Sequence, residues 1–280
     1  MTLSMLLLPI VYTIFIWWFT TGSIMVVYNR ARWMTRLFFA IYTAIAALAF
    51  AGLLLTRDIN DTAAVYVAVT CGILIWGWHV TAYYLGFVTG PRSARESLAA
   101  MNDTQNLTLK DRFALAFVSS LHHEVLAVVT GIVIALLTNG HINRWGLWIY
   151  LALWIMHGSS RLNIFLGVRN FSVDLLPRNF RYLRHVVSRR DFNEFFPVSV
   201  LIASVVMLTL IFQIITPDTS PLYLTGAIMV ATMLFLGILE HGLLMLPPSL
   251  QLWNNKAQAA HSAQVEQPKL GRAPQYETGE

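Results

Sequence analysis

From Leu3 to Tyr28 the chain runs without a charged side chain and is rich in Leu, Ile, Phe and Trp. A helix needs about 20 apolar residues to cross the hydrocarbon core of a bilayer, so this stretch can span. Six more follow, giving apolar runs at about 3–28, 37–55, 63–89, 113–137, 145–167, 196–215 and 222–246. Lipid leaves backbone groups no external partner, so a long apolar run must be helical. The expectation is an all-α, polytopic membrane bundle of seven transmembrane helices over residues 1–253, followed by a polar, disordered tail over 254–280. Gly90-Pro91 and Pro247-Pro248 should end the third and seventh spans, because proline cannot continue a helix. Pro197 stands where a helix start tolerates it.

Composition supports this and narrows the function classes. Charged residues make up 12% of the chain, against about 25% in a soluble domain. The net charge of +5 is explained by basic residues flanking the spans, so nucleic acid is not an expected partner; the lipid bilayer is. Cys71, the single cysteine, can form no intramolecular disulfide and sits in an apolar run. The first span begins at Leu3 with no basic segment before it, which is the pattern of a retained span rather than a cleavable signal.

Lys and Arg set the expected orientation. Arg30, Arg32, Arg36, Arg92, Arg95, Lys110, Arg112, six arginines between Arg169 and Arg190, and Lys256, Lys269 and Arg272 fall on one side. Arg57 and Arg144 fall on the other, beside Asp58, Asp61 and Asp218. The positive-inside rule then puts the N-terminus outside, in the periplasm, and the C-terminus in the cytoplasm. The basic loop 168–194 contains Phe180, Leu183 and Val187 on one helical face with Arg181, Arg184 and His185 around it. That is the pattern of a helix lying on an anionic membrane surface, or of a charged loop that only enforces topology.

Ionisable groups inside the spans are the candidate functional residues, since they are costly in lipid and rare there. They are His79 in the third span, His123 and Glu124 in the fourth, His157 and Arg161 in the fifth, and Glu240 and His241 in the seventh. Counted from the span ends, these lie roughly 8–15 Å inside the cytoplasmic boundary at 1.5 Å per residue. Four helices thus place imidazole or carboxylate groups at one level. Two glutamates against one arginine leave the cluster short of one positive charge unless a proton or cation joins it. An interhelical ion pair of Arg161 with Glu240 is the structural reading. Imidazole and carboxylate also suit iron, zinc or copper, with His79, His123, Glu124, Glu240 and His241 as candidate metal ligands. An axial histidine can equally hold a haem iron or the magnesium of a chlorophyll. His141, His185 and His261 read as solvated residues, and Trp17, Trp18, Trp76, Trp78 and Trp154 as belt or packing residues.

The sequence resembles a known family. Trp76-Gly77-Trp78-His79 with Leu85-Gly86-Phe87-Val88-Thr89-Gly90-Pro91-Arg92 is one signature, and Leu162-Asn163-Ile164-Phe165-Leu166-Gly167-Val168-Arg169-Asn170 is a second. His123-Glu124, Arg181-Tyr182-Leu183, Phe196-Pro197-Val198-Ser199-Val200 and Leu239-Glu240-His241 with Leu246-Pro247 follow in order. Together, over residues 8–253, these are similar to PuhE, the photosynthetic complex assembly protein 2 family of anoxygenic phototrophic bacteria. The resemblance implies a multi-pass protein of the bacterial inner membrane, cytoplasmic or intracytoplasmic. It implies work beside reaction-centre or light-harvesting subunits and pigment enzymes, and a role in bacteriochlorophyll supply. It favours His79, His123, Glu124, Asn163, Glu240 and His241 as cofactor-binding candidates over His157, which lies outside the pattern. Val80 stands where the family often has a glutamate. Two main readings follow. One is an assembly factor that holds a bacteriochlorophyll-type tetrapyrrole at the His/Glu cluster; the other is a metal-dependent oxidase or hydroxylase acting on a pigment precursor. A proton-coupled carrier is a third, though no span from 113 to 246 is broken by proline in mid-membrane.

Overall fold

The computed structural model describes residues 3–27, 30–88, 108–171, 187, 190–216 and 219–245. They form seven helices: α1 (Leu3–Val27), α2 (Arg32–Thr56), α3 (Thr62–Leu85), α4 (Leu109–Thr138), α5 (Trp145–Leu166), α6 (Phe195–Ile215) and α7 (Pro221–Met245). There is no strand among the described residues. The surface-helix pattern expected around Phe180 and Leu183, the expected stops at Gly90-Pro91 and Pro247-Pro248, and the tail lie outside the described residues.

Six of the seven helices are long and apolar enough to cross a membrane. The exception is α5, which is 22 residues long but carries His157, Ser159, Ser160, Arg161 and Asn163. Its placement resolves the difficulty. α5 packs against α3, α4, α6 and α7, so its polar groups meet protein instead of lipid. α3 and α7 are the most enclosed of the spanning helices, while α1 and α6 present mostly apolar side chains outward.

Close approach of backbones makes this centre. A Cβ on Gly72 of α3 would stand 2.5 Å from Ile149 Cγ2, and one on Gly146 of α5 would stand 2.8 Å from the Ala68 carbonyl. Small residues of this kind let spanning helices gain packing where lipid supplies no hydrophobic drive. Gly226 of α7 likewise seats the Trp145 indole.

Helix ends differ from the sequence expectation for local reasons. α3 stops at Leu85, before Gly90-Pro91, because Gly86 adopts φ 68° and its N–H closes onto the Ala82 and Tyr83 carbonyls. That left-handed turn costs a glycine little. α4 starts at Leu109, ahead of the expected 113, because Thr108 and Asp111 form a capping box.

One end of the bundle is tied by its short loops. Asn143 donates from Nδ2 to the Thr56 carbonyl (3.2 Å) and the Ala64 carbonyl (3.0 Å), and its N–H donates to Arg57 O at 2.9 Å. Arg57 Nη1 donates to the Leu137 carbonyl at 3.1 Å. His141, expected to be merely solvated, pairs through Nδ1 with Asp58 Oδ1 at 2.6 Å. That contact, followed by the positive charge of Arg57, holds the Asp58 carboxyl below its ordinary value of 3.8.

Asn143→Ala removes a buried amide shared by two loops and should lower unfolding free energy by about 2 kcal/mol, measured by denaturant titration in detergent. A depressed Asp58 contributes stability above its unfolded pKa and loses it as pH falls through the lower, folded value. The melting difference between wild type and Asp58→Asn should therefore be present at pH 7 and shrink as pH falls below the ordinary carboxylate value of 3.8; a difference that grew on acidification would contradict the assignment.

Candidate functional site

The spacing of polar residues on α5 decides the site. Tyr150, Trp154, His157 and Arg161 recur at four, three and four residues and so share one face. Met156, Ser160 and Asn163, with Ser159 beside them, lie about 140° around the helix at 100° per residue. The ionisable residues read from sequence as one constellation are therefore divided between two sides of α5.

On the first side α3 supplies Trp76, His79 and Tyr83, and α4 supplies His123 and Glu124. Trp76 is the hub. Its ring centroid is 6.0 Å from His79, 5.8 Å from His123, 5.5 Å from His157 and 5.8 Å from Tyr150. The His79 and His123 rings are 6.0 Å apart, and His123 and His157 are 6.1 Å apart. Tyr83 stands 4.8 Å from His123. His79 and His123 are each 1% exposed, and none of their four ring nitrogens has a hydrogen-bond partner. Tyr150 donates its hydroxyl to the Ala127 carbonyl at 2.9 Å, linking α5 to α4.

Beside these rings sits the ion pair. Arg161 Nη1 donates to Glu124 Oε1 at 2.7 Å, and Trp154 Nε1 donates to Glu124 Oε2 at 2.9 Å. The guanidinium also lies 5.2 Å from the Tyr83 ring centroid, within cation–π range. The expected partner of Arg161, Glu240, is replaced by Glu124. Arg161 and Trp154 share a face toward α4, whereas α7 meets the other face of α5. Both carboxylate oxygens of Glu124 are thereby engaged, and its charge is matched.

On the second side, Ser160 donates to Glu240 Oε1 at 3.0 Å, and Glu240 is exposed on the outer surface of α7. His241 is fully buried. Its Nδ1 donates to the Gly237 carbonyl at 2.8 Å, so in neutral imidazole Nε2 accepts from the Ser159 hydroxyl at 3.0 Å. Asn163 donates to Ser159 O (3.0 Å) and Ser199 Oγ (3.1 Å), fastening α5 to α6. This side is a hydrogen-bonded seam joining three helices.

The candidate ligands are thus not gathered at one point. Among the described residues no group of three or more His, Cys, Asp or Glu side chains is arranged to hold a metal ion. His79, His123 and His157 come together around Trp76; Glu124 faces Arg161; Glu240, His241 and Asn163 belong elsewhere. His157, given less weight from sequence, and Trp76 and Trp154, read as belt or packing residues, lie in contact with His123 or Glu124. The signal for the tryptophans was available: each stands three residues before a histidine, one helical turn away.

Residues 3–264 match the family described as "Protein of unknown function", DUF3623. A Rhodobacter capsulatus protein described as an uncharacterized 30.4 kDa protein in the puhA 5′ region is 26% identical over 270 residues, covering 94% of this chain and 95% of its own length. No solved structure matches.

The ion-pair assignment is testable by a double-mutant cycle. Glu124→Gln and Arg161→Met should couple by about 1–2 kcal/mol, the pair being partly screened. Glu240→Gln and Arg161→Met should be additive within about 0.5 kcal/mol. Both are read from unfolding in detergent.

Proposed function

The chain belongs to the DUF3623 family of proteins of unknown function, and from that premise we propose that it is an inner-membrane assembly factor for a bacterial photosynthetic reaction centre and its light-harvesting complex. The observation that carries this is the end-to-end likeness to a protein described by its place in the puhA 5′ region. The motif-level resemblance to the PuhE family, with motifs from the third helix to the last, supports the same reading. Six apolar helices with outward Leu, Ile, Val and Phe side chains fit a multi-pass membrane protein in contact with lipid, and such faces can pack against spanning subunits of a nascent complex.

The geometry bears on what such a factor would carry. A tetrapyrrole ligated by His79 or His123 needs an open, flat space beside the ring nitrogen. Trp76, Trp78, Tyr83 and Tyr150 already stand with centroids 4.8–6.0 Å from these imidazoles. A macrocycle does not fit at that position. The oxidase or hydroxylase reading is also weakened at its expected ligands. Glu124 is committed to Arg161 and Trp154, and His241 to Ser159 and Gly237.

Deleting the gene for this chain in its phototrophic host should lower membrane absorbance from reaction-centre and light-harvesting complexes while extracted pigments keep their wild-type profile. Restoration by the Glu240→Gln variant is expected, since that carboxylate lies on the outer surface of α7. Accumulation of a pigment precursor in the deletion strain would overturn the assembly role in favour of an enzyme.

A further inference from the structure

We propose that His79 and His123 form a two-nitrogen site for a soft monovalent cation of the copper(I) class. The proposal starts from an imbalance. Buried polar atoms are almost always paired, because leaving them unpaired in an apolar interior is costly. Here two imidazoles, each 1% exposed, leave all four nitrogens without a partner. The seam on the other side of α5 shows what a purely structural histidine looks like in this same chain. His241 is equally buried and has both nitrogens engaged.

The separation suits a shared ion. An imidazole–metal bond is about 2 Å long. Two such bonds in line, with the ring-centre-to-nitrogen distance added at each end, span roughly 6 Å. The two ring centroids are 6.0 Å apart. Three converging donors are absent among the described residues, which removes the tetrahedral sites zinc prefers. Two-coordination is the habit of monovalent d¹⁰ ions.

Charge argues the same way. The groups facing the pair are Trp76, Trp78 and Tyr83 from α3, Glu124 from α4, and Tyr150, His157 and Arg161 from α5. Glu124 is the only carboxylate among them, and Arg161 already balances it. A divalent cation would bring two uncompensated positive charges into a low-dielectric interior. A monovalent ion brings one, between imidazoles flanked by the Trp76 and Tyr83 rings. Imidazole is a competent ligand for copper. The site stands independently of the assembly role, because it is read in purified protein.

The test is an anaerobic titration of the detergent-purified full chain with copper(I) against a chromophoric copper(I) chelator. One ion per chain is expected, with affinity lowered roughly 100-fold in His79→Ala and in His123→Ala. His122→Ala, on the exposed face of α4, should bind as wild type. His79→Met, which keeps a soft donor, should retain binding within about tenfold, and its melting temperature should rise on adding copper(I). That variant separates lost ligation from lost folding. Copper(I) uptake no tighter than in the His79→Ala/His123→Ala double variant would overturn the site. So would zinc(II) bound with equal affinity and stoichiometry.

Discussion

Hydrocarbon will not solvate a charge or an unpaired hydrogen-bonding group, and the architecture follows from obeying that rule for one helix. α5 carries an arginine, a histidine, two serines and an asparagine within seven residues. Facing lipid, it would not be stable in a membrane. Enclosed by four neighbours, each polar group can be met by protein. The helices around it supply the partners: a carboxylate from α4, a serine from α6, and a histidine and a carboxylate from α7.

The two faces of α5 are used differently. The face toward α6 and α7 is a dense hydrogen-bonded seam in which the buried imidazole of His241 is satisfied at both nitrogens. Such interhelical contacts fix rotation and depth more than they add stability. The face toward α3 and α4 is aromatic. There Trp76 packs edge-on against three rings, and the Glu124–Arg161–Trp154 contacts close one side. At similar burial, His241 in the seam has both ring nitrogens engaged, whereas His79 and His123 on the aromatic face have none engaged.

Glycine makes both faces possible. With Gly72 and Gly146 bringing α3 and α5 together, the Trp76, His79 and Tyr150 rings can reach one another. Larger residues would push the helices apart and open the interior. Tight packing near the loop-tied end, where Asn143 joins two connections, thus sets the distances deeper in the bundle.

Some of this was legible in the residues themselves. Long apolar runs specify spanning helices, because no other regular structure satisfies the backbone in lipid. Intramembrane ionisable residues identified α3, α4, α5 and α7 as the helices that must meet. The Thr108–Asp111 cap was also written in the chain and explains the longer α4. What the residues could not give is rotation. Counting from span ends fixes depth, so His79, His123, Glu240 and His241 all read as one level and one site. Depth says nothing about azimuth. Which face of α5 turned to α4 and which to α7 decided that Arg161 meets Glu124 rather than Glu240. It also decided that His157 joins the aromatic cluster and that His241 does not. The sequence alone determined an all-helical membrane bundle and the identity of its buried polar groups, since both depend on local composition and period. Only the tertiary structure decided their pairing, because pairing depends on how each helix is turned about its axis, and that is set by side-chain packing between residues far apart in the chain.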